Sequence, residues 1–196
     1  MKRAEKRDHL IDTAIELFKR GGYHASGVDS IIAESGIAKT TLYRHFRTKE
    51  ELIVAALARV DEAFRDDMRA FVDRVSDKQG AGRPEDRLLA TFDYLTLWYD
   101  QGGLYGCPFM SAASEYNDKA DAIFQEARQH KRLVLAYFEE LARAAGLANP
   151  KACARQINLL HEGATAVMHI NRDRAAASQA KEAARTLIAV ARGAGA

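Results

Sequence analysis

A run of polar side chains between residues 39 and 49 carries the clearest chemistry in this sequence. Its ammonium, hydroxyl, guanidinium and imidazole groups are hydrogen-bond donors that suit an anionic polymer. Lysine can donate to guanine acceptors and threonine methyls can meet thymine methyls, so we expect Lys39 and Thr40 to read base edges. The other donors suit phosphate oxygens, with Tyr43 and Lys49 as the main candidates. The candidate DNA-binding residues are Lys39, Thr40, Thr41, Tyr43, Arg44, His45 and Lys49.

Two short helices around a glycine turn must position these side chains. Residues 27–46 read GVDSIIAESGIAKTTLYRHF, which is a helix-turn-helix pattern. Ser26 is the predicted N-cap of the first helix, and Gly36 allows the tight turn. Ala38 begins the second helix with a small side chain, so the next residues occupy the turn that meets base edges. The residues expected to pack the two helices together are Ile31, Ile32 and Ile37.

Helical spacing of apolar residues extends through almost the whole chain. Only three prolines occur and no sustained alternation of apolar and polar residues appears, so the predicted fold class is all-α. A capping box at 48–51 opens a long helix over 49–75, and 76–83 is a polar, glycine-containing linker. The pattern predicts nine helices, over 5–20, 27–35, 38–45, 49–75, 84–102, 108–115, 119–145, 150–170 and 173–192.

Several short motifs in the first third of the chain resemble one family. They stand in order at 14–18 (AIELF), 22–23 (GY), 26–28 (SGV), 32–38 (IAESGIA), 41–46 (TLYRHF) and 49–52 (KEEL). Residues 5–60 thereby resemble the DNA-binding domain of the TetR/AcrR family of bacterial transcription regulators. Gly27 departs from the serine or threonine common in that family, which removes one phosphate-contacting hydroxyl.

The resemblance implies a TetR-like architecture of nine helices. It places a three-helix DNA-binding domain over 5–64 and a helical ligand-binding and dimerisation domain over 65–196. The implied function is a cytoplasmic, ligand-responsive homodimeric repressor that a small-molecule effector releases from a palindromic double-stranded DNA operator. The alternatives are a transcriptional activator and a thiol-based electrophile sensor of the same fold.

In this family the C-terminal helices enclose the effector pocket, which should be mostly apolar with a few polar groups. Aromatic residues are frequent between 90 and 140, although most of them suit an ordinary core equally well. The candidate pocket residues are Phe92, Trp98, Cys107, Phe109, Met110, Tyr137 and His161. Cys107 precedes Pro108 at the predicted start of a helix, where the helix dipole favours a thiolate, but a buried packing role is the simpler interpretation.

The resemblance also implies that the last two helices pair with their copies in a four-helix interface. Both helices are rich in alanine, which allows close packing, and larger apolar residues are interspersed. Packing within one chain is the alternative. The candidate interface residues are Leu160, Val167, Leu187 and Ile188.

Composition narrows the remaining function classes. The 196 residues are 47% hydrophobic and 29% charged, which excludes a disordered chain and a disulfide-stapled miniprotein. No apolar run is long enough for a transmembrane helix, so no membrane association is expected. Cys107 and Cys153 lack metal-ligand spacing, and no acid–base–nucleophile set stands out, so we expect no metal, no cofactor and no enzymatic activity. Residues 1–50 carry a net charge of +3 and the remainder −1, which fits a polyanion at the N-terminal end.

Overall fold

The computed structural model describes residues 2–78, 83–102 and 105–193. This part of the chain forms nine α-helices and no β-strand, which confirms the predicted all-α class. The helices are α1 Arg3–Gly21, α2 Val28–Ser35, α3 Lys39–His45, α4 Lys49–Lys78, α5 Asp86–Asp100, α6 Pro108–Glu115, α7 Ala122–Ala144, α8 Pro150–Asn171 and α9 Ala176–Gly193.

The helices divide into two compact units. The first unit comprises the described residues of Met1–Ala63 together with Pro108–His130, and the second comprises those of Phe64–Cys107 and Lys131–Ala196. The first unit therefore contains α6 and the start of α7, in addition to the three N-terminal helices and the first half of α4. Sequence analysis had assigned that later segment to the C-terminal domain, and its domain boundary remains a prediction.

Local sequence explains where the helices near the turn begin and end. Gly36 ends α2 with a left-handed φ of 65°, and its N–H donates to the Ile32 carbonyl at 3.0 Å. Thr48 Oγ1 accepts from the Glu51 N–H at 3.2 Å and so begins α4 as predicted. The predicted cap at Ser26 is wrong, because its hydroxyl donates to the carbonyls of Leu17 and Gly22 and α2 begins two residues later.

The second unit has its own apolar core, formed mainly by α5, α7, α8 and α9. Phe92 of α5 and Phe138 of α7 are fully buried in it. Ala177 and Ala184 of α9 are also completely buried, which lets α9 lie close to its neighbours. None of the helices, within the residues described, has the length and apolar character to cross a membrane.

Candidate DNA-binding surface

Helix α3 is anchored by apolar side chains on its inner side. Leu42 is completely buried, and Phe46, directly after the helix, is 3% exposed. Ile31 of α2 and Leu10 of α1 are buried as well, and α1, α2 and α3 contact one another. This packing fixes which polar residues of α3 point away from the core.

The seven candidate DNA-binding residues fall into three groups. Lys39, Thr40 and Tyr43 are exposed, and their spacing places them on the outer side of α3. Arg44 and His45 follow Thr41 by three and four residues, so the three side chains lie on one side of α3, where they line a cleft. Lys49 stands apart from both groups, in the first turn of α4.

The cleft is the second feature of this surface. It encloses about 510 Å³ and is lined by Arg3 and Lys6 of α1 in addition to the three residues of α3. Neither α1 residue was among the predicted binding residues, although their basic side chains contribute to the excess charge of residues 1–50. Their spacing alone could not reveal that the first turn of α1 lies beside α3. The lining thus combines three permanent cations with a hydroxyl and an imidazole.

Acidic groups near the cleft are occupied by other partners. Asp8 and Asp12 of α1 bond the guanidinium of Arg59 on α4, with Arg59 Nη1 at 2.7 Å from Asp12 Oδ1. Arg3, Lys6 and Arg44 have no carboxylate within 4.0 Å among the residues that the structure describes. Their positive charges therefore remain available to an external anion.

Two residues of α3 differ in electrostatic environment. Partial burial, together with Arg3, Arg7 and Lys6, lowers the pKa of His45 below its ordinary value. A hydrogen bond from Lys39 Nζ to Asp29 Oδ1, 3.0 Å long, raises the pKa of Lys39. The Lys39 ammonium is therefore held by α2, and it must share or leave Asp29 to reach a base.

Lys49 is held by the turn between α1 and α2. Its Nζ donates to the His24 carbonyl at 3.1 Å, which leaves two of its three N–H groups for another acceptor. The turn is fixed from the other side by α6, because the Tyr23 and His24 N–H groups donate to the Glu115 carboxylate at 2.9 and 2.6 Å. Sequence analysis did not find Glu115, since it lies 91 residues beyond His24.

The candidate pocket residues do not all lie in one unit. Phe92 and His161 are buried together in the second unit, with ring centroids 5.6 Å apart. Tyr137 and Trp98 belong to the same unit, where Tyr137 is buried and Trp98 is only partly buried against Phe64. The effector pocket itself remains a prediction.

The other candidate pocket residues lie where the chain passes between the units. Phe109 stacks on His130 in the first unit at a centroid distance of 3.6 Å. Met110, the next residue of α6, is 45% exposed. Cys107 belongs to the second unit, where Lys131 Nζ lies 3.4 Å from its Sγ and 2.6 Å from Glu162 Oε2. This buried thiol therefore has a cation beside it, which the sequence did not reveal.

The last two helices carry an apolar stripe exposed in the single chain. Val167 of the candidate interface residues is 37% exposed, whereas Leu160 and Leu187 are partly buried. Ile188 is 3% exposed and packs in the core of its own chain. The most exposed apolar residues of α8 and α9 were not predicted, because helical periodicity alone does not show which flank faces the core. They are Leu159 at 70%, Ile170 at 76% and Val190 at 67% exposure.

The segment that carries this surface is similar to known proteins. Residues 10–56, which contain α2, α3 and the start of α4, match the family model described as bacterial regulatory proteins, tetR family. The transcriptional activator FasR of Mycolicibacterium smegmatis is 46% identical over 29% of this chain and 26% of its own length. The transcriptional repressor NemR of Escherichia coli is 24% identical over 69% of this chain and 66% of its own. The chain thus spans about a quarter of the first relative and about two thirds of the second.

A solved structure extends the similarity to nearly the whole chain. SCO4454, a TetR-family transcriptional regulator from Streptomyces coelicolor, superposes with a TM-score of 0.85. The match covers 96% of each chain at 26% sequence identity. The fold therefore agrees well beyond the segment that contains α2 and α3.

Proposed function

We propose that this chain, which is similar to TetR-family regulators in residues 10–56 and in fold, is a DNA-binding homodimeric repressor released from its operator by a small-molecule effector. The observation that carries the DNA-binding role is the surface of α3. One side presents Lys39, Thr40 and Tyr43 to solvent, and the other side lines a cleft rich in unpaired cations. Base-edge donors beside phosphate-binding cations are the combination that sequence-specific DNA binding requires.

In this proposal Lys39 and Thr40 read bases, whereas Tyr43, Arg44, His45 and Lys49 hold phosphates. Thr41 lies in the cleft with Arg44 and His45, where its hydroxyl suits a phosphate oxygen. We add Arg3 and Lys6 to the phosphate-binding set, because they line the same cleft. The proposed regulator acts on bacterial DNA in the cytoplasm and needs no catalytic activity.

The exposed stripe on α8 and α9 supports a homodimer. Charged residues are depleted at the centre of stable interfaces, and a row of exposed Leu, Val and Ile is unusual on a surface that stays in water. The proposed interface residues are Leu159, Val167, Ile170, Leu187 and Val190. Two-fold symmetry would then place two α3 helices about 34–36 Å apart, one DNA turn, on two half-sites of a palindrome.

The repressor role is supported by the relative whose similarity covers more of this chain. The similarity to FasR, an activator, covers 29% of this chain, whereas that to NemR, a repressor, covers 69%. A ligand that favours a dimer with a different spacing of its α3 helices must weaken DNA binding, and DNA must weaken ligand binding by the same factor.

Footprinting on the region upstream of the protein's own gene tests this proposal. We expect two protected half-sites of related sequence, with centres one helical turn or a multiple of it apart. Transcription from that promoter should rise when the gene is deleted. Protection of random sites only, or a fall in transcription after deletion, would contradict the repressor role.

We infer a second candidate function, thiol-based electrophile sensing, from the contact between Cys107 and Lys131. The Lys131 ammonium lies 3.4 Å from the Cys107 sulfur, so a positive charge stands beside the atom that would attack an electrophile. Burial lowers the pKa of Lys131, but Cys107 and Glu162 outweigh it, so the net pKa is raised and the group stays charged. Because Cys107 immediately precedes α6, a group added to its sulfur would act where the chain enters the first unit.

N-ethylmaleimide distinguishes the two candidates. The thiolate sulfur adds to one alkene carbon and water protonates the other, so no leaving group or oxidant is needed. A sensor should release DNA on treatment, and Cys107→Ser should abolish this response. Cys153→Ser is the matched control, because burial raises the pKa of the Cys153 thiol and makes it a poor nucleophile. If wild type and Cys107→Ser respond alike, Cys107 is no sensor.

A further inference from the structure

The segment Gly22–Tyr23–His24 is held by α6 at both ends of that helix. The hydroxyl of Tyr23 donates to the carbonyl of Pro108, the first residue of α6, at 3.0 Å. Glu115, the last residue of α6, accepts the two successive backbone N–H groups with its two carboxylate oxygens. The ring of His24 also bonds the Glu115 carbonyl at 3.0 Å and lies 4.6 Å from the ring of Tyr116.

Gly22 is part of the same arrangement. Its φ is +82°, and a Cβ built there would lie 3.0 Å from Glu115 Oε1. A side chain at this position would therefore strain the backbone and crowd the carboxylate. The motif residue Gly22 has a physical role here, because it lets Glu115 approach the turn.

The α1–α2 turn also contacts a proposed DNA-binding residue. The His24 carbonyl accepts a hydrogen bond from Lys49 Nζ at 3.1 Å. The N–H of the same residue donates to Glu115 at 2.6 Å. His24 therefore connects the carboxylate at the end of α6 with the ammonium at the start of α4. His24, Lys49 and Glu115 all lie in the first compact unit.

We propose that Glu115 is a positioning residue for DNA binding, which fixes the α1–α2 turn and through the His24 carbonyl directs the Lys49 ammonium toward a phosphate. This inference rests on the proposed phosphate contact of Lys49.

Charge alone makes the opposite prediction. Removal of a carboxylate makes the protein more positive, and a more positive protein binds DNA more tightly. Weaker binding of Glu115→Ala therefore cannot come from the lost charge. Glu62→Ala is the matched control, because it removes the same charge from an exposed position on α4 in the same unit.

The experiment measures the dissociation constant for a 30-bp mixed-sequence duplex over a range of salt concentrations. Such a duplex suffices, because phosphate contacts do not depend on sequence. We expect Glu115→Ala to bind at least about tenfold more weakly and its salt slope to fall by about one per protomer, as for Lys49→Ala. Glu62→Ala should bind as well as the wild type or more tightly.

A double-mutant cycle separates positioning from a general loss of stability. In the Lys49→Ala background, Glu115→Ala should cause no further loss if it acts through Lys49, whereas independent effects would add. Thermal unfolding checks that each variant is folded at the assay temperature. Glu115→Gln retains the side-chain shape and one acceptor oxygen, so it replaces the alanine variant if that variant unfolds, with a smaller loss expected.

The failures of the two ideas are distinguishable. If the wild type binds the duplex with no salt dependence, the proposed DNA-binding role fails. If the wild type and Lys49→Ala differ as expected but Glu115→Ala and Glu115→Gln match Glu62→Ala, the positioning role of Glu115 is overturned. Additive losses in the cycle overturn it as well.

Discussion

The basic side chains of the cleft in the first unit differ from two lysines of the second unit in whether a carboxylate accompanies them. Arg3, Lys6 and Arg44 surround a cleft without a carboxylate within 4.0 Å among the described residues. In the second unit, Lys131 and Lys181 bond Glu162 and Asp93 at 2.6 and 2.7 Å. Unpaired cations keep their field for an external anion, whereas paired cations hold their own fold together. This difference supports the proposal that the cleft of the first unit binds an anion, whereas Lys131 and Lys181 stabilise the fold of the second unit.

The largest expected effect tests the second unit. Val190→Glu should place an unpaired carboxylate in the proposed dimer interface, and the dimer dissociation constant should rise by at least about a hundredfold, since burying an unpaired charge costs several kcal/mol. Analytical ultracentrifugation measures this change. Ala189→Glu is the matched control, because it adds the same charge one residue away on a different flank of α9. Equal dimerisation of both variants would contradict the proposed stripe.

A substitution at Ile188, in the same helix, should change the stability of the fold and not the dimer dissociation constant. Because it is buried in the core of its own chain, Ile188→Ala should lower the free energy of unfolding by about 2–5 kcal/mol. Denaturant titration at fixed protein concentration measures this loss. If Ile188→Ala changed the dimer dissociation constant and left the resistance to denaturant unchanged, Ile188 would instead belong to the dimer interface.

The next effect concerns the cleft of the first unit. The double variant Arg3→Ala/Lys6→Ala should weaken binding to a mixed-sequence duplex at least about tenfold and lower the salt slope by about two per protomer. Fluorescence anisotropy measures both quantities. Lys19→Ala/Arg20→Ala is the control, since these residues lie in the last turn of the same helix and pair with Glu16 and Glu34. If both double variants behave alike, only the total charge matters and the cleft is not a binding site.

A smaller effect follows from the environment of His45. Because neighbouring cations and partial burial lower its pKa, the free protein binds fewer protons at this site than an ordinary histidine would. A phosphate in the cleft favours the protonated ring, so DNA binding takes up protons and affinity should fall as pH rises from 5.5 to 7.5. The change should be about threefold to tenfold, and His45→Gln should flatten it. An equally steep profile in His45→Gln would assign the proton uptake to another group.

The smallest effect sharpens the role of Lys39. Asp29→Ala removes the carboxylate that holds the Lys39 ammonium at 3.0 Å in an exposed ion pair. We expect binding to a cognate site to tighten by about twofold to threefold, since an exposed pair contributes at most about 1 kcal/mol. Lys39→Ala should instead relax discrimination at one or two base pairs, each contributing about 1–3 kcal/mol. Equal losses on cognate and random DNA would exclude base reading by Lys39.

Sequence predicted the elements better than their contacts. Helix boundaries were found to within a few residues, because glycine stops such as Gly36 and caps such as Thr48 act locally. The faces of α3 could be predicted for the same reason, since residue order along one short helix determines its faces, and the DNA-binding role of these residues stays a prediction. Contacts between distant segments left no local signal, as Glu115 at the α1–α2 turn and Lys131 at Cys107 show. The burial of Ile188 beside exposed Val190 was equally hidden, because only packing decides which flank of an alanine-rich helix meets the core.

The salt dependence of binding to a mixed-sequence 30-bp duplex tests the central claim most directly. A dimer that contributes Arg3, Lys6, Arg44 and Lys49 from each protomer should give a plot of the logarithm of the association constant against that of salt concentration with a slope of about −7, since each neutralised phosphate contributes about 0.9. Arg44→Ala and Lys49→Ala should each reduce its magnitude by about one per protomer. A slope near zero, or a steep slope that neither substitution changes, would contradict DNA binding through this surface.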